Sequence, residues 1–184
     1  MRVLGVDPGL TRCGLGVIDA PGPRRLHLVD VTVATSSPDA ETPQRLVAIA
    51  DAIEAAIESF APDAVAVERV FAQHNVRTVM GTGQVSGLVM VAARRRGLPV
   101  VTYTPSEVKA AVTGHGRAEK SQVGFMVATL LGLDSPPKPA DASDALAIAI
   151  THALRGGARS QSAGQPTPAQ SVWAAAERAA RRRG

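Results

Sequence analysis

Apolar and polar positions along the chain follow two periodicities in a regular order. Residues 2–7 (RVLGVD), 13–20 (CGLGVIDA) and 26–35 (LHLVDVTVAT) are short runs rich in β-branched residues, separated by Asp7-Pro8-Gly9 and Pro21-Gly22-Pro23. Pro fixes φ and Gly permits positive φ, so these breaks read as turns and the three runs as an antiparallel meander. From Pro43 to Phe60 the period changes. Leu46, Ile49, Ala50, Ile53, Ala56, Ile57 and Phe60 recur at three- and four-residue spacing, which predicts an amphipathic helix. Ala64 to Val67 is a continuous apolar run closed by Glu68, the pattern of a central strand covered on both faces.

A loop through Phe71 to Asn75 precedes a long helix up to Arg96, stopped by Gly97, and Pro99 to Thr104 reads as the last strand. Helices follow over Pro105 to Thr113, Glu119 to Leu131 and Asp141 to Leu154. The order βββαβαβ then helices predicts an α/β domain with a mixed five-stranded sheet flanked by helices. A length of 184 residues suits one such domain, spanning 1–154. After residue 154 the composition shifts to Gly, Ser, Gln, Pro and Ala and ends in an Arg-rich run, which reads as a flexible basic tail over 155–184.

Charge is segregated along this framework. Residues 1–68 hold five Arg against ten acids, whereas 69–120 hold eight Lys or Arg against Glu107 and Glu119, and 155–184 carry six Arg against Glu177. An acidic cluster beside basic surface suits a metal-dependent enzyme acting on a polyanion; solvated surface charge with a basic tail is the plainer alternative. One cysteine, Cys13, excludes an internal disulfide and, without clustered His, a zinc scaffold. Asp7 interrupts any apolar signal region and no long apolar run occurs, so the chain reads as cytoplasmic.

Four acids stand where a sheet-based site would place them. Asp7 ends the first strand, Glu68 ends the fourth, and Asp141 and Asp144 open the last helix. If the first and fourth strands are parallel neighbours, Asp7 and Glu68 emerge side by side, and three-residue spacing puts Asp141 and Asp144 on one helical face. Carboxylates so packed raise one another's pKa unless cations neutralise them, and an all-oxygen set favours Mg²⁺ or Mn²⁺. Asp7 before Pro-Gly also reads as an Asx-turn former, and Asp141 with Asp144 as a helix cap and first-turn acid. Glu68, at the end of a buried strand, is costly without a partner or metal. His152 reads as a core or surface residue, and His74 and His115 as loop residues without an assigned role.

GVDPGLTRCGLGVID at 5–19, AVERVFAQHN at 66–75, AEKSQVGFMVATLLGL at 118–133 and ADASDALAIAITHAL at 140–154 together resemble the bacterial RuvC family of Holliday-junction resolvases, which are ribonuclease H-like nucleases. The resemblance covers about residues 1–154; Cys13 and Leu15 stand where relatives often carry Thr and Tyr. It implies that Asp7, Glu68, Asp141 and Asp144 are the catalytic acids and hold two Mg²⁺ ions, with Mn²⁺ as a substitute. It further implies that Phe71 approaches the junction and that Lys109 and Lys120 lie near the cleaved strand. Arg69, Arg77 and Arg117 are candidate phosphate contacts. Homodimers making paired symmetric nicks in four-way DNA, in company with RuvA and RuvB, are likewise implied by the family.

Two other classes are open to the same sequence. GVDPGLTRCGLGVID also resembles the first phosphate loop of actin and sugar-kinase ATP-binding domains, but that fold closes two domains around the nucleotide and this chain has room for one. A non-catalytic DNA-binding module would leave Glu68 with no reason to end a buried strand.

Overall fold

The computed structural model of the chain describes residues 1–22, 25–69 and 76–161, with side chains for all of these except 76–78 and 157–161. Strands β1 (Arg2–Asp7), β2 (Arg12–Gly22), β3 (Arg25–Thr35), β4 (Ala64–Glu68) and β5 (Val100–Tyr103) form one sheet in the order β3-β2-β1-β4-β5. The first three pair antiparallel, as their short links require. Helices α1 (Thr42–Phe60) and α2 (Val76–Arg95) are long enough to carry the chain back, so β4 pairs parallel with β1, and β5 with β4. The mixed five-stranded sheet and the order of its elements are as the periodicities predict.

Strand alternation divides the core in two. Leu4, Val6, Val17, Val65 and Val67 pack with Ile49 and Ile53 of α1 and Val85 and Val89 of α2 on one face. Val3, Ile18 and Ala66 point the other way, against α3 (Pro105–Thr113), α4 (Lys120–Leu131) and α5 (Ala140–Gln161), through Val108, Val127, Leu146 and Ile150. By the same two-residue alternation, Asp7 shares the face of Val3, and Glu68 that of Ala66. Both acids therefore belong to the α5 side.

Helix α5 lies on the backbone of β1 and β2 because glycines leave room for it. A Cβ at Gly5 would strike the carbonyl oxygen of Ala145, and one at Gly14 the carbonyl oxygen of Asp141. At Gly16 it would stand 2.9 Å from the amide nitrogen of Leu146. Since Gly14 faces Asp7 in the β1–β2 register, this close approach brings the first turn of α5 down onto the end of β1.

Two boundaries differ from expectation. Strand β2 runs on to Gly22, into the break expected at Pro21-Gly22-Pro23. The last helix continues to Gln161 instead of ending at Leu154. Gly156 and Gly157 are weak helix formers, but tertiary contacts override propensity. Arg155 is bonded to Glu107 at 2.7 Å, and Gly156 lies against Met1. Residues 162–184 of the expected tail fall outside the described residues.

Candidate active site

The end of β1 and the end of β4 are adjacent. Val6 pairs with Val67 in a parallel register, which leaves Asp7 and Glu68 as the next residues on neighbouring strands. Helix α5 begins at Ala140, so Asp141 lies inside its first turn and Asp144 follows three residues later on the same face. The alternative of Asp141 as a helix cap is thereby set aside.

Asp7 is pushed up to about 7, first by burial and then by the negative charges of Glu68, Asp144 and Asp141, against an opposing pull from Lys120. Glu68 is raised by burial and by Asp144, while Lys120 and Lys109 draw it down. Lys120 donates to Asp144 Oδ2 at 3.0 Å, a bond that raises the pKa of its own ammonium group. Arg12, in the first residue of β2, places Nε 2.8 Å from Asp141 Oδ2. Two acids are thus partly balanced by cations, while Asp7 and Glu68 face each other with none bonded to them in the contacts described.

A set of oxygen donors at one sheet edge, two of them with raised pKa, suits a hard divalent cation. Among the described residues no three such groups are gathered closely enough to hold an ion as they stand. Binding would therefore draw Asp141 and Asp144 away from Arg12 and Lys120 or share them. The donor chemistry fits; the cations now occupy part of the metal's electrostatic role.

The other candidates fall unevenly. Arg69 is exposed directly after Glu68, its Nη2 donating to Thr102 Oγ1 at 3.3 Å and its amide to the Tyr103 carbonyl at 2.7 Å. Lys109 is half-buried on α3 and Lys120 starts α4 against Asp144. Arg117 is exposed in the link before α4. Phe71 and His74 lie outside the described residues, as does the side chain of Arg77. His115 is exposed and joined to Thr113 through its backbone, and His152 Nδ1 is 2.9 Å from the Tyr103 hydroxyl, so neither belongs with the carboxylates. Cys13 is buried, its thiol pushed up to about 12 chiefly by burial, which leaves it unreactive. A cavity of about 450 Å³ opens between the end of α3 and α4 around Phe125 and Met126, and holds none of the four acids.

Periodicity does not disclose Arg12 or the glycines. Arg12 reads as one more turn charge, and its partner lies 129 positions away. Gly5, Gly14 and Gly16 carried a signal, since their spacing on adjacent strands puts all three on one face, where only a closely packed helix has use for them.

Residues 3–152 match the family model described as crossover junction endodeoxyribonuclease RuvC. A protein of that name from Nocardioides sp. is 63% identical over 161 residues, covering 88% of this chain and 91% of its own. Another from Clavibacter michiganensis is 54% identical across 100% of both chains. Among solved structures, Thermus thermophilus RuvC in complex with a Holliday junction substrate superimposes with a TM-score of 0.82 at 39% identity, covering 86% of this chain and 96% of that one. The yeast mitochondrial Holliday junction resolvase Ydc2 shares the fold, with a TM-score of 0.61 at 15% identity.

Proposed function

This chain belongs to the RuvC family of crossover junction endodeoxyribonucleases, and from that premise we propose that it resolves four-way DNA junctions by metal-dependent hydrolysis at the edge carrying Asp7, Glu68, Asp141 and Asp144. It is a nuclease of DNA recombination and repair. The observation that carries the assignment of the site is the pairing of Asp7 with Glu68 on parallel strands beneath the first turn of α5, with the carboxyl of Asp7 raised to about 7 by burial and by its acidic neighbours. A structural role asks for no such concentration of negative charge, and a passive DNA-binding module does not account for it; the family match speaks against an ATP-binding domain.

The four carboxylates are proposed to hold two divalent cations, Mg²⁺ or in its place Mn²⁺, which when bound lower the pKa of an attacking water and neutralise the leaving 3′ oxygen. Asp7, between Glu68 and the α5 acids, is suited to bridge the two positions. Glu68 and Asp144 would hold one each, and Asp141 would orient or complete the set. Lys109 and Lys120 bring positive charge to the edge where the scissile phosphate must lie, and Arg69 and Arg117 extend it outward. Phe71, three residues after Glu68, supplies a flat ring on which an unpaired base stacks.

A homodimer fits the two symmetric nicks. Its support here is α2, where Met80, Met90 and Val91 are 61%, 43% and 50% exposed. Gly83 and Gly87, at the intervening helical spacings, have open space where a Cβ would be. RuvA and RuvB are the proposed partners in branch migration. Among the described residues no helix is long and apolar enough to cross a membrane. The proposed nuclease unit runs to the end of α5, with 162–184 as a basic extension.

The deciding experiment incubates the protein with an end-labelled synthetic four-way junction and with a linear duplex, in Mg²⁺ or in EDTA. Paired nicks in the junction alone, and only with Mg²⁺, are expected. Binding without cutting under all conditions would reduce the protein to a DNA-binding module.

A further inference from the structure

Helices α3 and α5 are joined by a contact that the reading of the site leaves unused. Arg155 lies fourteen residues beyond Asp141, about 21 Å along the α5 axis at 1.5 Å per residue. Its Nη1 is 2.7 Å from Glu107 Oε1, and its guanidinium carbon stands 5.5 Å from the centre of the Tyr103 ring. The other oxygen of Glu107 accepts from the Thr104 amide at 2.8 Å, and the Glu107 amide donates to Thr104 Oγ1 at 3.1 Å. One carboxylate therefore ties the first turn of α3 to the far part of α5.

That knot reaches the active edge through the backbone. Tyr103 pairs with Glu68 in the β4–β5 register, and its carbonyl accepts from the Arg69 amide at 2.7 Å. Lys109 follows two residues after Glu107, about 200° around the helix, so holding Glu107 on α5 turns Lys109 to the other side. There its charge acts on Glu68.

Helix α3 does not depend on Arg155 to form. Thr104 and Glu107 close a capping box at one end and Gly114, at φ 80°, ends the other. The Arg155 and Glu107 side chains are 42% and 38% exposed, and ion pairs this accessible add little to folding. What the pair adds is a second tie between α3 and α5, beside the packing of Val108 and Val112 in the core they share.

We propose that Arg155, stacked on Tyr103 and paired with Glu107, is a positioning residue that sets where Lys109 stands relative to Glu68 and so governs the cutting step without touching DNA. The inference rests on Glu68 and Lys109 belonging to the active site as read above.

The test compares Arg155→Ala, Arg155→Lys, Glu107→Gln and Glu68→Gln in the full chain. Junction affinity, single-turnover cutting and thermal melting are measured for each. Tyr103 is the only tyrosine, so 3-fluorotyrosine labelling gives one ¹⁹F resonance that reports the stack directly. Arg155→Ala is expected to slow single-turnover cutting about two- to fivefold, to move the ¹⁹F resonance, and to leave junction affinity and melting temperature near wild type. Arg155→Lys, which keeps the charge but not the planar fork, should recover part of the rate. Wild-type cutting by Arg155→Ala beside an inactive Glu68→Gln overturns the positioning role alone, as does a rate loss matched by a loss of melting temperature. Cutting by Glu68→Gln overturns the site and the proposal with it.

Discussion

Arg12 Nε lies 2.8 Å from Asp141 Oδ2, so a residue of the strand that follows the β1 turn neutralises one of the four acids before any metal arrives. The turn that carries Arg12 is itself anchored. Arg45 donates to Thr11 Oγ1 at 2.7 Å and to Ser36 Oγ at 3.0 Å, and Ser36 Oγ donates to the Leu10 carbonyl at 2.6 Å.

As Lys120 does for Asp144, Arg12 offsets the charge of Asp141. Arg12→Gln should free that charge and tighten Mn²⁺ binding, by up to about fivefold for a pair this exposed. Isothermal titration of the DNA-free protein with Mn²⁺ reads this directly. Weaker Mn²⁺ binding in Arg12→Gln would mean that Arg12 holds Asp141 in place for the metal instead of competing with it.

Asp7→Asn, Glu68→Gln and Asp144→Asn should each abolish Mg²⁺-dependent cutting while junction binding stays intact or tightens, since each removes a ligand and one negative charge near phosphate. Asp141→Asn should be milder. Strong residual cutting by Asp7→Asn, assayed beside wild type, would refute the metal assignment.

The carboxyl of Asp7 also sets a pH dependence. Its ordinary pKa of 3.8 is raised to about 7 in the fold, so between these values the folded protein holds a proton that the unfolded chain has lost. Metal-free stability must therefore fall as pH rises through that window, with the full cost present above about pH 7. A metal ion competes with the same proton, so its binding should strengthen over the same range and then level off. Melting curves at about pH 5 and pH 8, in EDTA and in Mg²⁺, check both statements. Asp7→Asn should show the shallower dependence, and equal slopes for the two proteins would rule out Asp7 as the titrating group.

The glycine seat of α5 makes a separate prediction. Gly14→Ala sets a methyl group against the Asp141 carbonyl and Gly5→Ala sets one against Ala145 and Ala149, all backbone atoms that cannot turn aside. Each should cost about 1 to 3 kcal/mol of stability and lift the first turn of α5 away from Asp7. Gly22→Ala, which meets nothing, is the control. An unshifted melting temperature for Gly14→Ala would show that α5 has slack at this point.

How much of this was legible in the chain depends on the range of the interaction. Asp7 and Glu68 could be placed because each ends a recognisable strand, and the parallel pairing follows from one intervening helix. Asp141 and Asp144 could be put on one face by counting. Arg12 against Asp141, and Glu107 against Arg155, could not, since each pair joins elements that meet only in the folded core. The end of α5 was hidden for the same reason. Gly156 and Gly157 look like a break, and only the partners of Arg155 show why the helix runs through them.

Truncation separates the two parts of the region after residue 154. Deletion of 162–184 removes four Arg and one Glu and leaves α5 whole. If those arginines touch DNA, the slope of log binding constant against log salt should flatten by about 0.9 per lost phosphate contact. The rate of cutting per bound complex should survive, because nothing of the carboxylate edge or of the α3–α5 contact has been removed. Deletion from residue 155 takes away two more arginines, Arg155 and Arg159, and breaks the bond to Glu107 as well. That protein should lose rate per bound complex in addition to salt dependence. An unchanged salt slope in the shorter deletion would make 162–184 a spacer or a protein-binding segment. Equal cutting rates for the two truncated proteins, measured at saturating protein in a single turnover, would place the boundary of the working nuclease at residue 154 after all.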